Sequence, residues 1–425
     1  MFSVFSVSLC ENLKGVYVKE VSGGVCAPKG FRAGGILCGI KASSKKRDLA
    51  LIYSEKLCTA AAVFTTNQVK AASILLSQKH LANNKLRAII ANSGNANACT
   101  GEAGMAAAKK MAELAADLFA ISPSEVAVAS TGVIGVQLPI AAIENSIEAL
   151  GNSLAKDESG HMAALEAIMT TDVCKKDACV EIMLGDKPVR IGAMVKGSGM
   201  IHPNMATMLG FITTDVAISA DLLDKALRRA AAVSFNRVTV DGDTSTNDML
   251  LVMASGEAGN AEITSENEDY STFASALEAV CIKLAKAMAR DGEGATKLLT
   301  INVSGAQDEG AAERLAMSVA SSSLVKAAMF GQDANWGRIL CALGYSGISF
   351  DPGNVDISIA AASNEDVKVC AKGAGLPFSE EDAKKILAQE EIEIKISMGD
   401  GTGSAVVWGC DLTYDYVKIN GDYRT

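Results

Sequence analysis

Thr207 has the most chemistry to offer in this sequence, and its setting is the reason. It lies in an uncharged stretch, residues 197–214, that Gly197, Gly199, Pro203 and Asn204 punctuate too heavily for a helix or a membrane span. The stretch reads as a buried, irregular turn, and a buried turn strands backbone polar groups unless the loop has a use. A threonine hydroxyl is a weak nucleophile until a base stands beside it. Making the threonine an N-terminus supplies one, because a free α-amine titrates at about 7.7–8.0. Thr207 follows a small residue, Ala206, and precedes a β-prone run, residues 208–214. A threonine in such a run is ordinarily a core residue bonded to backbone. Its companions elsewhere in the chain argue for the chemical role.

Lys196 stands at the mouth of the same stretch. Held beside an α-amine, its own pKa falls and it stays basic and unprotonated at neutral pH. Thr131 and Gly132 sit where a short apolar strand turns toward a helix. Amide or hydroxyl donors there could face an oxyanion, a contribution of about 3–4 kcal/mol per donor in a hydrolase. Glu293 lies between Gly292 and Gly294, so backbone rather than packing holds it, either at an exposed helix end or facing a ligand. The run 236–248 carries Asp241, Asp243 and Ser245, like the start of a calcium loop. Thr246 and Val252 break that pattern, and the run reads as a turn dense in side-chain caps close to the site. His80, His161 and His202 are far apart, and no metal is expected.

The elements that must position these residues follow from periodicity. Residues 49–53, 60–65, 86–92 and 126–129 read as buried strands, and 103–119, 140–155, 163–169, 222–235 and 272–290 as helices. A hairpin of 179–184 and 189–195 delivers the chain to Lys196. From about residue 300 the pattern changes to short alternating helices and strands, which places a smaller second domain there. In it, 391–398 and 405–413 read as a long hairpin about the glycine run 399–403, and Val417 and Ile419 continue a strand pattern into a tail that could pack against a site.

At 425 residues the chain is too long for one ordinary core. A net charge of −10 and 5% aromatic content make nucleic acid and anionic membrane surfaces poor partners. Eleven cysteines without a C-x-x-C pair fit small buried hydrophobes in a reducing compartment. Residues 1–22 read as an N-terminal extension, whose apolar stretch 1–9 lacks a basic lead, is too short for a signal peptide and is too poor in arginine for a transit peptide.

Taken together, several long strings resemble the ornithine acetyltransferase family, the glutamate N-acetyltransferases of arginine biosynthesis. They are residues 30–33, 92–101, 196–215, 234–248, 291–296 and 419–425, and the resemblance spans 23–425. It implies self-cleavage between Ala206 and Thr207, giving fragments 1–206 and 207–425 with two copies of each in the assembly. It also implies acetyl transfer from N-acetylornithine to glutamate through Thr207, with Thr131 and Gly132 as the oxyanion pair. Thr170 or Thr171, Lys196, Glu293, Asn420 and Thr425 would contact substrate. No cofactor is implied, and acetyl-CoA stays open as an alternative donor. The implied fold is α+β: stacked β-sheets flanked by helices, like N-terminal-nucleophile enzymes but with different connectivity, in a catalytic domain at 23–300, and a smaller α/β domain at 301–425 whose tail reaches the active site. A cytoplasmic location follows. The family often has proline where Ser73 and Ala334 stand and alanine where Gly421 stands, differences of loop stiffness rather than chemistry. Two other readings compete: a self-cleaving amidase with water as acceptor, and a non-enzymatic amino-acid-binding protein that never splits.

Overall fold

Two β-sheets organise the chain, described in a computed structural model for residues 18–41, 45–202, 208–361 and 366–422. The first gathers β1 (Lys19–Glu20), β2 (Phe31–Ile36), β3 (Leu49–Phe64), β4 (Lys85–Asn95), β5 (Val126–Val133), β6 (Lys176–Leu184), β7 (Lys187–Lys196), β8 (Leu209–Thr214) and β10 (Met249–Ala254). The second gathers β9 (Val238–Thr239), β11 (Leu298–Ala306), β12 (Asp356–Ala361), β13 (Asp366–Ala371), β14 (Ala374–Gly375), β15 (Glu391–Ser397) and β16 (Gly403–Cys410). The strand order is β1-β6-β7-β8-β10-β3-β4-β5 in the first, with β2 on β3, and β14-β13-β12-β15-β11-β16-β9 in the second. This is the α+β architecture that the sequence implies.

The first sheet is apolar on both faces because helices cover both. Toward one side, Ile52, Ala60, Ile89 and Leu251 pack with Ala164, Leu165 and Ile168 of the helix Glu158–Ile168. Toward the other, Leu51, Ile90 and Val128 meet Ala108, Met111 and Ala115 of the helix Gly101–Asp117. Ile191, Ile212 and Val252 meet Leu277, Val280 and Leu284 of the helix Glu268–Arg290. The second sheet alternates instead: Ile392, Ile394 and Ile396 point into its core while Glu391, Glu393 and Lys395 do not. The helix Glu268–Arg290 also reaches Leu298, Trp408 and Cys410 of the second sheet, so the turn that follows it sits where the sheets approach.

Three expectations change. The expected strands 49–53 and 60–65 merge into one, β3, which ends at Phe64 and whose pairing with β4 shifts register between Tyr53 and Cys58. An irregularity of this kind interrupts the apolar alternation without ending the strand. The segments about the glycine run 399–403 do not pair with each other. β11 lies between them, parallel to β15 and antiparallel to β16, so the glycines serve a crossover rather than a hairpin turn. The tail is a helix, Tyr414–Asp422, not a strand. None of its side chains is buried, so the two-residue alternation of Val417 and Ile419 has no face to serve, and the Thr413 hydroxyl accepts from Tyr416 N at 3.3 Å in the first turn. No helix among the described residues is long and apolar enough to cross a membrane.

Candidate functional site

β7 is buried along its second half because the first sheet is covered there, and it ends by placing Lys196 at 3% exposure beside a cleft. Thr131, Gly132, Thr170, Thr171, Glu293 and Asn420 line the same cleft. Residues separated by up to 289 positions (420 − 131) therefore share one pocket. Ala206, Thr207 and Thr425 lie outside the described residues. The described residues on either side of 203–207 are anchored: Ile201 N donates to Asp241 Oδ1 at 2.8 Å, and Met208 N donates to Asp248 Oδ1 at 2.9 Å.

Thr131 and Gly132 belong to β5 rather than to a turn, since β4 and β5 run parallel past them with Ser93 opposite Thr131 and Gly94 opposite Gly132. Gly132 has φ 132°, and a Cβ there would lie 2.4 Å from the Gly94 carbonyl carbon. Only glycine allows the two strand ends to come this close. Asn247 clamps them from the side, its Nδ2 donating to Ala96 O at 2.6 Å and Ser130 O at 2.8 Å. The Thr131 hydroxyl, by contrast, makes no hydrogen bond among the described residues, and its donor remains for whatever enters the cleft.

A buried charge network supports the other wall. Asp172, with a fully buried side chain, accepts through Oδ1 from Lys176 Nζ at 2.7 Å and Gly197 N at 2.7 Å, and through Oδ2 from Thr170 N at 3.0 Å. Lys196 Nζ stands 3.9 Å from Asp172 Oδ2. Lys176 also reaches Asp291, whose carboxylate accepts from Val173 N at 3.1 Å and whose backbone carbonyl accepts from Ser198 Oγ at 2.6 Å. Burial alone would raise the Asp172 carboxyl, but Lys176 and Lys196 outweigh it and hold the carboxyl well below the ordinary range. Burial lowers the Lys196 amine, Asp172 opposes the shift and Lys176 adds to it. The sequence expectation ties such a shift to a neighbouring α-amine; here burial is its main cause. Asp248, fully buried beside residue 208, is pushed well above the carboxylate range by desolvation.

Glu293 approaches Gly199 so closely that a Cβ there would lie 2.3 Å from its Cδ, and Asn420 Nδ2 donates to Glu293 Oε2 at 2.9 Å. The C-terminal helix is thus tied to the carboxylate that the glycines 292 and 294 present. Nearby, Lys41 donates to Met169 O at 2.8 Å, and burial brings its amine down to about 8 despite Asp48. Amine labelling with acetic anhydride is expected to show Lys41 half-reactive near pH 8, protonated and slow below that, reactive above it. An inflection near the solvated lysine value of about 10.4 would mean that the Lys41 side chain is not held in this position.

Nearly the whole chain has close relatives. The ArgJ family model matches residues 32–425. The arginine biosynthesis bifunctional protein ArgJ 1 of Clostridium acetobutylicum is 54% identical over 397 residues, 93% of this chain and 96% of that protein. The chain belongs to the ArgJ family. Its members are acyltransferases of arginine biosynthesis, and the ArgJ protein of Symbiobacterium thermophilum is 52% identical over 406 residues, 95% of this chain and 99% of the relative. A solved structure of the ArgJ protein of Bacillus halodurans is 46% identical, covers 50% of this chain and 98% of its own, and has a TM-score of 0.48.

Within this ArgJ chain, sequence reasoning passed over Asp172, Lys176, Asp291 and Asn247. Asp172 and Lys176 had a visible signal, an Asp and a Lys four apart beside the paired threonines. Asp291 had none, because the partners of its carboxylate lie 115 to 118 residues away.

Proposed function

We propose that this chain cleaves itself between Ala206 and Thr207 and then transfers the acetyl group of N2-acetylornithine to glutamate, giving ornithine and N-acetylglutamate. The observation that carries the reading is the meeting of Lys196 and Glu293 in one cleft with the Thr131–Gly132 strand end. A substrate with both a carboxylate and an ammonium requires opposite charges in its site, and acyl transfer requires donors where an oxyanion develops.

In the cleavage step the Thr207 hydroxyl attacks the Ala206 carbonyl, the peptide bond breaks as nitrogen leaves, and the resulting ester is hydrolysed by water. This frees the α-amine of Thr207 in fragment 207–425. That amine takes the hydroxyl proton, Thr207 Oγ attacks the acetamide carbonyl of N-acetylornithine, and the tetrahedral oxyanion faces Thr131 and Gly132. Collapse expels the ornithine nitrogen, which takes up the proton. Glutamate's amine then attacks the acetyl ester by the reverse path. Lys196, Glu293, Asn420, Thr425 and one of Thr170 and Thr171 hold the amino-acid framework. The cycle draws on the Thr207 hydroxyl and α-amine, backbone and side-chain donors and water, with acetyl-CoA as an alternative donor for glutamate, two copies of each fragment in the assembly, and the cytoplasm as its location.

The test is the intact mass of the purified protein, followed by incubation with acetyl-labelled N-acetylornithine with and without glutamate. Two fragments splitting before Thr207, and label moving to N-acetylglutamate, are the expected result. One uncleaved chain would overturn the nucleophile, and label released as acetate at the same rate without glutamate would favour an amidase.

A further inference from the structure

Lys196 and Lys176 compete for the same carboxylate, and the geometry is lopsided. Lys176 lies within hydrogen-bonding distance of both Asp172 and Asp291, and its side chain is 1% exposed. Lys196 is left 3.9 Å from Asp172, and its amine makes no hydrogen bond among the described residues. Both oxygens of Asp172 are already engaged, one by Lys176 and Gly197 N, the other by Thr170 N. The same carboxylate therefore fixes the start of the Thr170–Thr171 turn and the residue after Lys196, while Asp291 fixes residues 173 and 174 and, by accepting from Ser198, ties the segment after Lys196 to the turn that carries Glu293.

We propose that Lys176 is a positioning residue of the site: by saturating Asp172 it keeps the Lys196 ion pair, now at 3.9 Å, from closing to hydrogen-bonding distance, and so keeps the Lys196 amine available to substrate. The proposal rests on the reading of Lys196 as a substrate-contacting group. A buried ion pair whose cation is removed leaves an uncompensated charge that recruits the next cation within reach. Without Lys176 that cation is Lys196. The charged groups facing Lys196 are Asp172 and Lys176 from the threonine turn and the start of β6, Glu293 from the turn after the helix Glu268–Arg290, Asp248 before β10, and Lys41 across the cleft. Lys176 and Lys41 disfavour its protonated form, and the three carboxylates favour it.

The test is a mutant cycle of Lys176→Met, Asp172→Asn and the double variant, read two ways. The first readout is the rate at which the Lys196 amine is labelled by acetic anhydride, followed on its peptide by mass spectrometry, which involves no substrate. The second is the affinity for ornithine by calorimetry. Lys176→Met is expected to slow Lys196 labelling about tenfold and to weaken ornithine binding by a similar factor. In the double variant, where Asp172 no longer carries charge, both quantities should return to within about threefold of Asp172→Asn alone. A role in packing alone predicts the opposite order, with the double variant worse than either single one. Unchanged Lys196 labelling in Lys176→Met, or a double variant as impaired as Lys176→Met, overturns the proposal. Should Lys176→Met fail to fold, the comparison of the double variant with Asp172→Asn decides: a difference above about tenfold in labelling means that Lys176 acts on Lys196 by a route other than Asp172. Failure of the wild type to bind ornithine would overturn the substrate reading and leave the labelling result standing on its own.

Discussion

The Thr207→Ala variant is expected to stay a single chain and to transfer no acetyl group at a measurable rate. Both steps of the proposed chemistry draw on the same hydroxyl, once against the Ala206 carbonyl and once against the acetamide, so one substitution removes both. Deleting a covalent nucleophile costs about a millionfold in kcat where it has been measured in a serine hydrolase. Thr207→Ser separates the two roles of the side chain. It keeps the hydroxyl and loses the methyl, and should still cleave and still transfer, more slowly. The fold should survive both changes, because the flanks are held independently of the side chain at 207: Ile201 N and Met208 N are bound by Asp241 and Asp248, and Met249 N donates to Met208 O at 3.0 Å. Thermal unfolding of Thr207→Ala near the wild-type midpoint, with an intact mass of the full chain, would complete the result. Cleavage that persists in Thr207→Ala would remove the threonine from the mechanism, and transfer that persists in an uncleaved chain would remove the need for a free α-amine.

Much of this site is legible in the amino-acid sequence, and the parts that are not share a physical cause. Thr131, Gly132, Lys196 and Glu293 announce themselves locally, through glycine neighbours, a strand end or an uncharged run, and the cleft collects them. The long helices and the β6–β7 hairpin follow from periods of 3.6 and 2 that burial on covered faces enforces. The misreadings concern pairing and burial rather than element type, with the tail and the Thr131–Gly132 strand end as the exceptions. Nothing in residues 391–410 states that β11, almost a hundred positions earlier, inserts between the two strands. The tail reads as a strand because Val417 and Ile419 alternate with polar residues, yet the alternation means nothing where no face is buried. The charge network is the clearest case. Spacing alone could pair Lys176 with Asp172, yet it is a cation buried between two carboxylates because Asp291 arrives from the far end of the helix Glu268–Arg290. Local spacing cannot encode a partner that only the fold supplies.

Thr131→Val is expected to lower kcat by about a hundredfold to a thousandfold while leaving KM within a few-fold of wild type, the loss measured for removing one oxyanion donor. Valine keeps the β-branched shape that suits a strand position at 4% exposure, so the substitution removes one hydroxyl and little else. The asymmetry between kcat and KM is the informative part. A donor aimed at the substrate carbonyl in its ground state would stabilise the bound substrate as much as the transition state, and its loss would appear in KM. A donor placed where the oxyanion forms is felt only as charge develops. The Thr131 hydroxyl makes no hydrogen bond among the described residues, whereas the neighbouring strand end is clamped by Asn247 at 2.6 Å and 2.8 Å, which fixes the donor without occupying it. That combination of a rigid support and an unengaged hydroxyl is what electrostatic preorganisation requires, since no donor has to be turned or stripped of a partner during the reaction. The same variant should also slow self-cleavage, because attack on the Ala206 carbonyl passes through an oxyanion of the same kind. Steady-state kinetics over both substrates, with the cleaved fraction followed by mass, measures both effects. A rise in KM at unchanged kcat would place Thr131 among the substrate-holding groups with Lys196 and Glu293. Slowed transfer with normal cleavage would mean that the two reactions use different donors.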